Sequence, residues 1–324
     1  MANIIENPIS WNQEDAAKYF LQPLFISNND LAHFDVMTNI SGASIVLDKY
    51  SALKDVTKAL NDGCFEDEAT RSENSHVTLT LTRLEVEHRQ RAHALFNHIK
   101  SQFMRQGIER NDLTGTVIMQ MLSEILLGGI KRDFSTILWW GKATGGAGTQ
   151  ALADGIWQAA SGIPAAQQVT YAPGATAAID SLNALMIARS NELAGSDQMM
   201  FVSRSFADKY RAELTGIGVQ GAYQDLQGGI ANLSFNGIPM MVMPDFDVNI
   251  AAYGGTLPTG APSAVGNTEC AFLVAKDALA VGTDWSIQDV DMWYNRDCKE
   301  NRFRMNYSFG VALKDNSLVA TITY

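Results

Sequence analysis

The most regular pattern along the chain lies at its C-terminal end. Phe303, Met305, Tyr307, Phe309, Val311 and Leu313 alternate with Arg304, Asn306, Ser308, Gly310 and Ala312. A period of two puts the two sets on opposite faces of a strand. Lys314, Asp315, Asn316 and Ser317 supply turn chemistry, and Leu318, Ala320, Ile322 and Tyr324 then alternate again. The pattern predicts a β-hairpin that closes the chain. Residues 77–82, Val-Thr-Leu-Thr-Leu-Thr, alternate as strictly and predict a half-exposed strand.

A period near 3.6 appears further back. Leu113, Val117, Met121, Ile125, Ile130, Phe134 and Ile137 recur every three to five residues, and Leu122, Leu126 and Leu138 widen the stripe. This predicts one long helix over 112–138, capped by Asp112, about 40 Å long at 1.5 Å per residue. Gly128-Gly129 should soften or bend it. Ala94, Leu95, Ile99 and Phe103 predict a helix over 87–106, ending before Gly107.

The remaining elements follow from shorter signals. Residues 43–46, 198–202 and 270–275 read as strands, and 233–243 as a turn and strand around Asn236-Gly237. Residues 176–193 and 205–214 read as helices, and 53–60 as a weak one. Residues 141–148 and 254–266 are glycine-rich loops, and 66–74 is a polar, exposed tip. Strands and helices interleave without a regular βαβ rhythm, so the expected class is α+β. No internal repeat is found.

Composition narrows the options. The 324 residues suffice for about two domains, and 46% hydrophobic with 18% charged is an ordinary globular mixture. The net charge of −11 argues against a dedicated nucleic-acid binder, which needs a surplus of cations to neutralise phosphates. Cys64, Cys270 and Cys298 are widely spaced with no CxxC, which predicts free thiols in a reducing compartment. The N-terminus lacks the basic and apolar regions of a secretory signal. The apolar stretch 117–140 is broken by Glu124, Lys131, Arg132 and Asp133, so no membrane span and a soluble, cytoplasmically made chain are expected. Residues 1–33 carry Ile4, Ile5, Ile9, Trp11, Phe20 and Leu24, too apolar for a solvated tail, and read as an arm that packs on something, such as another subunit.

No motif yields a catalytic, cofactor or metal site. Gly216, Gly218 and Gly221 spell GxGxxG, but a dinucleotide fingerprint needs a preceding strand, and here a helix precedes. Gly146, Gly148 and Ala151 fail in the same way, and Gly141-Lys142 lacks the rest of a P-loop. His88, His93 and His98 on a helix would each be turned by about 140° from the last and cannot converge on one metal. Glu85 and His88 form a single ExxH where a dimetal site needs two, and neither GxSxG nor HExxH occurs. Glu66-Asp67-Glu68 reads as a solvated loop. Catalytic, cofactor-binding and metal residues are therefore all expected to be none.

The order of segments says more than any motif. Across about residues 34–324 the chain resembles the HK97-type major capsid proteins of tailed double-stranded DNA phages. Residues 113–138 resemble the spine helix of that family. The passage from Trp140-Gly141-Lys142 to Asp154-Gly155-Ile156 resembles its glycine-containing exit from the spine. Met199 to Ser203 with the following helix, and Phe235-Asn236-Gly237-Ile238-Pro239, are similar to axial-domain elements, and residues 270–284 and 303–324 to the last sheet strands.

The resemblance implies an HK97-like α+β fold: an N-terminal arm (1–33), an E-loop region (34–80), a peripheral domain with the spine (81–141), an axial domain (142–275), and C-terminal strands shared between the two (276–324). It implies a non-enzymatic shell protein of the virion that assembles with itself into hexamers and pentamers around double-stranded DNA, with no membrane. Separate scaffolding, portal and decoration proteins are expected partners. With about 33 residues before the E-loop region, no cleaved scaffolding domain is expected. Lys49, Lys54 and Lys58 lie where some members cross-link, but none matches specifically, and no autocatalytic cross-link is expected. The alternatives are an encapsulin-type compartment shell, a nucleotide-binding enzyme using the 216–221 loop, and a tail-tube component, for which a seven-turn spine has little use.

Overall fold

The alternating segments do form strands, but they pair with partners remote in sequence. A computed structural model describes residues 9–10, 29–38, 40, 42–50, 74–90, 112, 117–172, 174, 176–217, 233–252, 268–283 and 291–323. The chain runs through β1 (Ile9–Ser10), β2 (Asp35–Met37), β3 (Ser44–Tyr50), β4 (Asn74–Thr80), β5 (Thr82–Gln90), α1 (Val117–Trp140) and the short α2 (Ile156–Ala159). It continues with β6 (Gln168–Thr170), α3 (Ala177–Ala188), α4 (Asn191–Ala194), β7 (Gln198–Ser203), α5 (Arg204–Ile217), β8 (Leu233–Phe235), β9 (Ile238–Met243) and α6 (Asp245–Ala252). It ends with β10 (Ala271–Ala275), β11 (Leu279–Thr283), β12 (Asp291–Asn295), β13 (Glu300–Leu313) and β14 (Val319–Thr323). The class is α+β.

Among the described residues the strands form two six-stranded sheets and a separate two-stranded ribbon, β3–β4. The first sheet is built on β13. One edge of β13 pairs with β5 over Asn301–Phe309, and the other edge pairs with β12 and then with β11. β2 lies parallel to β11, and β1 lies on β12. The second sheet has the order β6-β14-β10-β7-β9-β8. Asn236 and Gly237, at φ 51° and 79°, form the tight β8–β9 turn, where glycine and asparagine tolerate positive φ.

The expected C-terminal hairpin is not formed. β13 belongs to the first sheet and β14 to the second, where β14 pairs antiparallel with β10. Residues 314–318 carry the chain from one sheet to the other instead of folding it back. Periodicity identifies strands but not their partners, and a five-residue connection suits either outcome.

Three other expectations need correction. The strand over 77–82 is two strands, β4 and β5, separated at Leu81. The helix expected from residue 87 begins instead as strand, because β5 runs to Gln90, with Leu84, Val86 and His88 opposite Tyr307, Met305 and Phe303. Charged Arg83, Glu85, Glu87 and Arg89 occupy the alternate positions, so the same segment carries a period of two. The helix expected over 176–193 is broken at Ser190, whose extended backbone lets its Oγ accept from Leu193 N–H and start α4. The segments 53–60, 66–73, 91–106 and 254–266 lie outside the described residues, and Asn74, the last residue of the expected polar tip, is the first of β4.

The long helix is present and continuous through Gly128-Gly129, ending at Trp140. It packs against both sheets. Phe134 meets Phe309 of the first sheet edge-on, ring centres 5.2 Å apart. Trp139 meets Phe201 and Phe272 of the second at 5.0 and 5.7 Å. Trp140 and Trp157 extend this aromatic cluster, and Phe34 and Phe246 close it. Such ring pairs add about 0.5–1.5 kcal/mol each beyond their buried area. Tyr307 of β13 is buried, and burial, with Asp133 adding to it, pushes its hydroxyl up to about 12.

After Trp140 the chain makes a close backbone contact. Gly155 N–H donates to Gly141 C=O at 2.9 Å, and a Cβ on Gly155 would stand 2.5 Å from the Ile137 carbonyl oxygen. A Cβ on Gly141 would meet the Ala153 carbonyl oxygen at 2.2 Å. Only glycine fits at either place, which explains the spacing of the two residues. Gly128, by contrast, has open space where a Cβ would go. Gly155→Ala should therefore cost about 1–3 kcal/mol through overpacking, whereas Gly128→Ala should stabilise α1 by up to about 1 kcal/mol. Urea midpoints should move in opposite directions for the two variants.

Candidate functional site

The motifs singled out in the sequence do not come together. Gly216 lies in the last turn of α5, so a helix and not a strand precedes the GxGxxG, and Gly218 and Gly221 lie outside the described residues. Gly146 and Gly148 lead into a short 3₁₀ turn at Gly148–Ala151. His88 is exposed but on a strand, not on the expected helix, while His93 and His98 lie outside the described residues. Cys270 is buried and free, Cys298 is exposed and free, and burial pushes the Cys270 thiol well up. Cys64 and Glu66-Asp67-Glu68 lie outside the described residues. Among the described residues no three His, Cys, Asp or Glu side chains are grouped to hold a metal. No described helix is long and apolar enough to cross a membrane.

Polar side chains are used instead to join elements. Glu213 of α5 accepts from Ala178 N–H and Ile179 N–H, both at 2.9 Å, and so caps α3. Asp247 of α6 accepts from Ser205 N–H and Ser205 Oγ, and Ser203 Oγ accepts from Phe206 N–H, which together cap α5. A carboxylate at a helix N-terminus meets unpaired N–H groups and the positive end of the helix dipole. These caps fix the helices against the second sheet.

The densest polar constellation lies on residues 314–318, between β13 and β14. Lys314 pairs with Asp35 of β2, and the next residue, Asp315, pairs with Lys49 of β3. Asn316 packs on Gly162, where a Cβ would stand 2.7 Å from its Nδ2. Ser317 C=O accepts from Gln167 Nε2 at 2.9 Å and Ser190 Oγ at 2.6 Å, and Ser317 Oγ donates to Glu192. Lys314 N–H donates to Ala278 C=O at 2.9 Å, joining this crossing to the β10–β11 crossing beside it. Periodicity gave no sign of this site; the only signal was a run of turn residues whose partners lie up to 279 positions away.

The β3–β4 ribbon is seated beside it. Gly282 and Gly310 are paired across β11 and β13, and neither has a side chain. Ile40, Leu79 and Leu81 fill the space above Gly282, and the Thr80 carbonyl oxygen sits where a Cβ on Gly310 would be. With Ala312 these apolar residues form a small cluster separate from the main core.

This arrangement is an architectural junction with a projecting two-stranded ribbon. No family model matches the chain, and no curated protein matches it. Solved structures do. A chain from Mycobacterium phage Ogopogo matches with a TM-score of 0.58 at 13% identity, covering 90% of this chain and 91% of that one. A chain of the satellite phage P4 procapsid, which includes the size determination protein, matches at 0.53 and 9%, covering 93% and 96%. A chain of the bacteriophage PhiM1 mature capsid matches at 0.52 and 11%, covering 99% and 90%. The chain has the HK97-type capsid fold.

Burial raises the Asp315 carboxyl, but the hydrogen bonds from Lys49 and from Ser317 N–H outweigh it, and its pKa is lowered from the ordinary 3.8. A depressed folded value stabilises the fold above the unfolded value and loses that contribution as pH falls through the folded one. The stability difference between wild type and Asp315→Asn should hold steady from pH 7 to about pH 5. It should then shrink as pH falls below 3.8. Urea midpoints measured across that range check this.

Proposed function

We propose that this chain is a major capsid protein. It self-assembles into hexamers and pentamers that form the icosahedral head shell of a tailed bacteriophage around packaged double-stranded DNA. The observation that carries the reading is the extent of the likeness, which takes in about nine-tenths or more of this chain and of the phage chains it resembles. A fold shared over nearly its whole length leaves little of the chain to carry a separate activity. The role is structural and not enzymatic.

In this reading residues 1–33 are the arm, 34–80 the E-loop region containing β3 and β4, 81–141 the peripheral domain with α1 as its spine, and 142–275 the axial domain. Residues 276–324 are shared, which agrees with β11 and β13 lying in one sheet and β14 in the other. The net charge of −11 suits a wall that encloses DNA without gripping it, since tight phosphate binding would hinder packaging and release. Scaffolding, portal and decoration proteins are the expected partners, assembly takes place in the host cytoplasm, and the virion is the destination.

Negative-stain electron microscopy of the protein expressed alone, with sedimentation beside it, tests the reading. Closed shells or capsomer rings, sedimenting far ahead of a 35.3 kDa monomer, are expected. A monodisperse monomer or dimer at every concentration, with or without a co-expressed scaffolding protein, would overturn it.

A further inference from the structure

Asn236-Gly237 is the chain's one Asn-Gly pair. The two residues form the tight β8–β9 turn, and both are exposed. The ladder pair that closes the turn is Phe235 and Ile238. Gly237 N–H is left without a backbone partner among the described residues. The Asn236 side-chain amide makes no hydrogen bond there either. A Cβ on Gly237 would meet no atom within 4 Å, so nothing crowds the approach to its nitrogen.

Asp154-Gly155 has the same order of groups, a side-chain carbonyl carbon before a glycine nitrogen, but it is closed. Gly155 N–H is held by Gly141 C=O at 2.9 Å, and Asp154 Oδ1 accepts from Ala143 N–H at 2.8 Å. The Ile137 carbonyl oxygen stands 2.5 Å from where a Cβ on Gly155 would be. The β8–β9 turn has no such restraint. β8 is three residues long, lies at the end of the second sheet and pairs only with β9 among the described residues. A short edge hairpin opens locally at far lower cost than the sheet behind it. Opening lets the Asn236 side chain turn over the Gly237 nitrogen.

We propose that Asn236 is a site of spontaneous modification in the folded chain: its side-chain amide is lost through attack by the Gly237 backbone nitrogen, which leaves a succinimide that water opens to aspartate or isoaspartate. Hydroxide takes the Gly237 N–H proton, and the nitrogen bonds to Asn236 Cγ. The Cγ–Nδ2 bond breaks, and the amide leaves as ammonia with a proton from water. One water then adds to the five-membered imide, and nothing is oxidised or reduced. Opening at Cγ gives aspartate on an unchanged backbone. Opening at the main-chain carbonyl gives isoaspartate, with the chain running through the former side chain. Either product adds one negative charge at neutral pH. Isoaspartate also adds one carbon to the main chain. A two-residue turn fixes the Phe235↔Ile238 register only at its own length, so the modified turn loses that register. The site stands independently of the capsid reading.

The test ages the folded full-length chain at body temperature in mildly alkaline buffer, beside a sample unfolded in urea, and follows peptide masses. The peptide carrying Asn236 should gain the mass difference between an acid and an amide and separate into two products. Its rate in the folded chain should lie within about tenfold of the unfolded rate, since local opening of an edge hairpin is easy. Enzymatic methylation specific for isoaspartate should label position 236 and leave position 154 unlabelled. Gly237→Ala should slow the conversion about tenfold, since the added Cβ shields the nitrogen. An Asn236 that stays intact in the folded chain while the unfolded chain converts would overturn the proposal. So would conversion to aspartate alone, because direct hydrolysis of the amide, without the Gly237 nitrogen, gives no isoaspartate.

Discussion

The backbone hydrogen bond from Lys314 N–H to Ala278 C=O joins the two places where the chain crosses between its sheets. β10 leads into β11 through three residues, and β13 leads into β14 through five. Because β11 pairs with β13 and β10 with β14, both antiparallel, the two crossings form one continuous bent ribbon shared by both sheets. The sheets cannot separate without breaking it. The short β10–β11 connection demands an unusual conformation, and Asp277 takes it with φ at 61° while its N–H donates to His33 C=O. Aspartate is among the few residues that enter that region at modest cost.

Other features follow from this constraint. A helix that serves both sheets must carry side chains for each, and α1 does so with Phe134 on one and Trp139 on the other. The chain must then leave α1 without opening a gap, which the Gly141–Gly155 contact achieves. The seat for the β3–β4 ribbon needs bare backbone on the first sheet, and Gly282 and Gly310 provide it by standing opposite each other.

Much of the fold was legible because it is periodic. The helix expected over 112–138, the strands expected at 43–46, 198–202 and 270–275, and the Asn236-Gly237 turn were readable from residue spacing and turn chemistry, and the structure has them as 117–140, 44–50, 198–203, 271–275 and the β8–β9 turn. What failed was partner choice. β13 and β14 look like a hairpin because their alternation continues on both sides of a turn, yet each found a different partner from the segment 271–283. The end of β5, residues 87–90, was read as the start of a helix because the apolar spacing of Ala94, Leu95, Ile99 and Phe103 was extended back to it, and pairing with β13 holds it as strand instead. The junction at 314–318 was not legible at all. Asp35, Lys49, Gln167, Ser190 and Glu192 are ordinary surface residue types in sequence, and only the fold makes them neighbours.

The claim that the two sheets are one mechanical body is tested most directly by native-state hydrogen exchange in rising denaturant. The amides of β10, β11, β13 and β14 should converge on a single opening free energy, as expected of one cooperative unit. If the amides pairing β11 with β13 opened well before those pairing β10 with β14, the sheets would be independent and the account of the shared ribbon would be wrong.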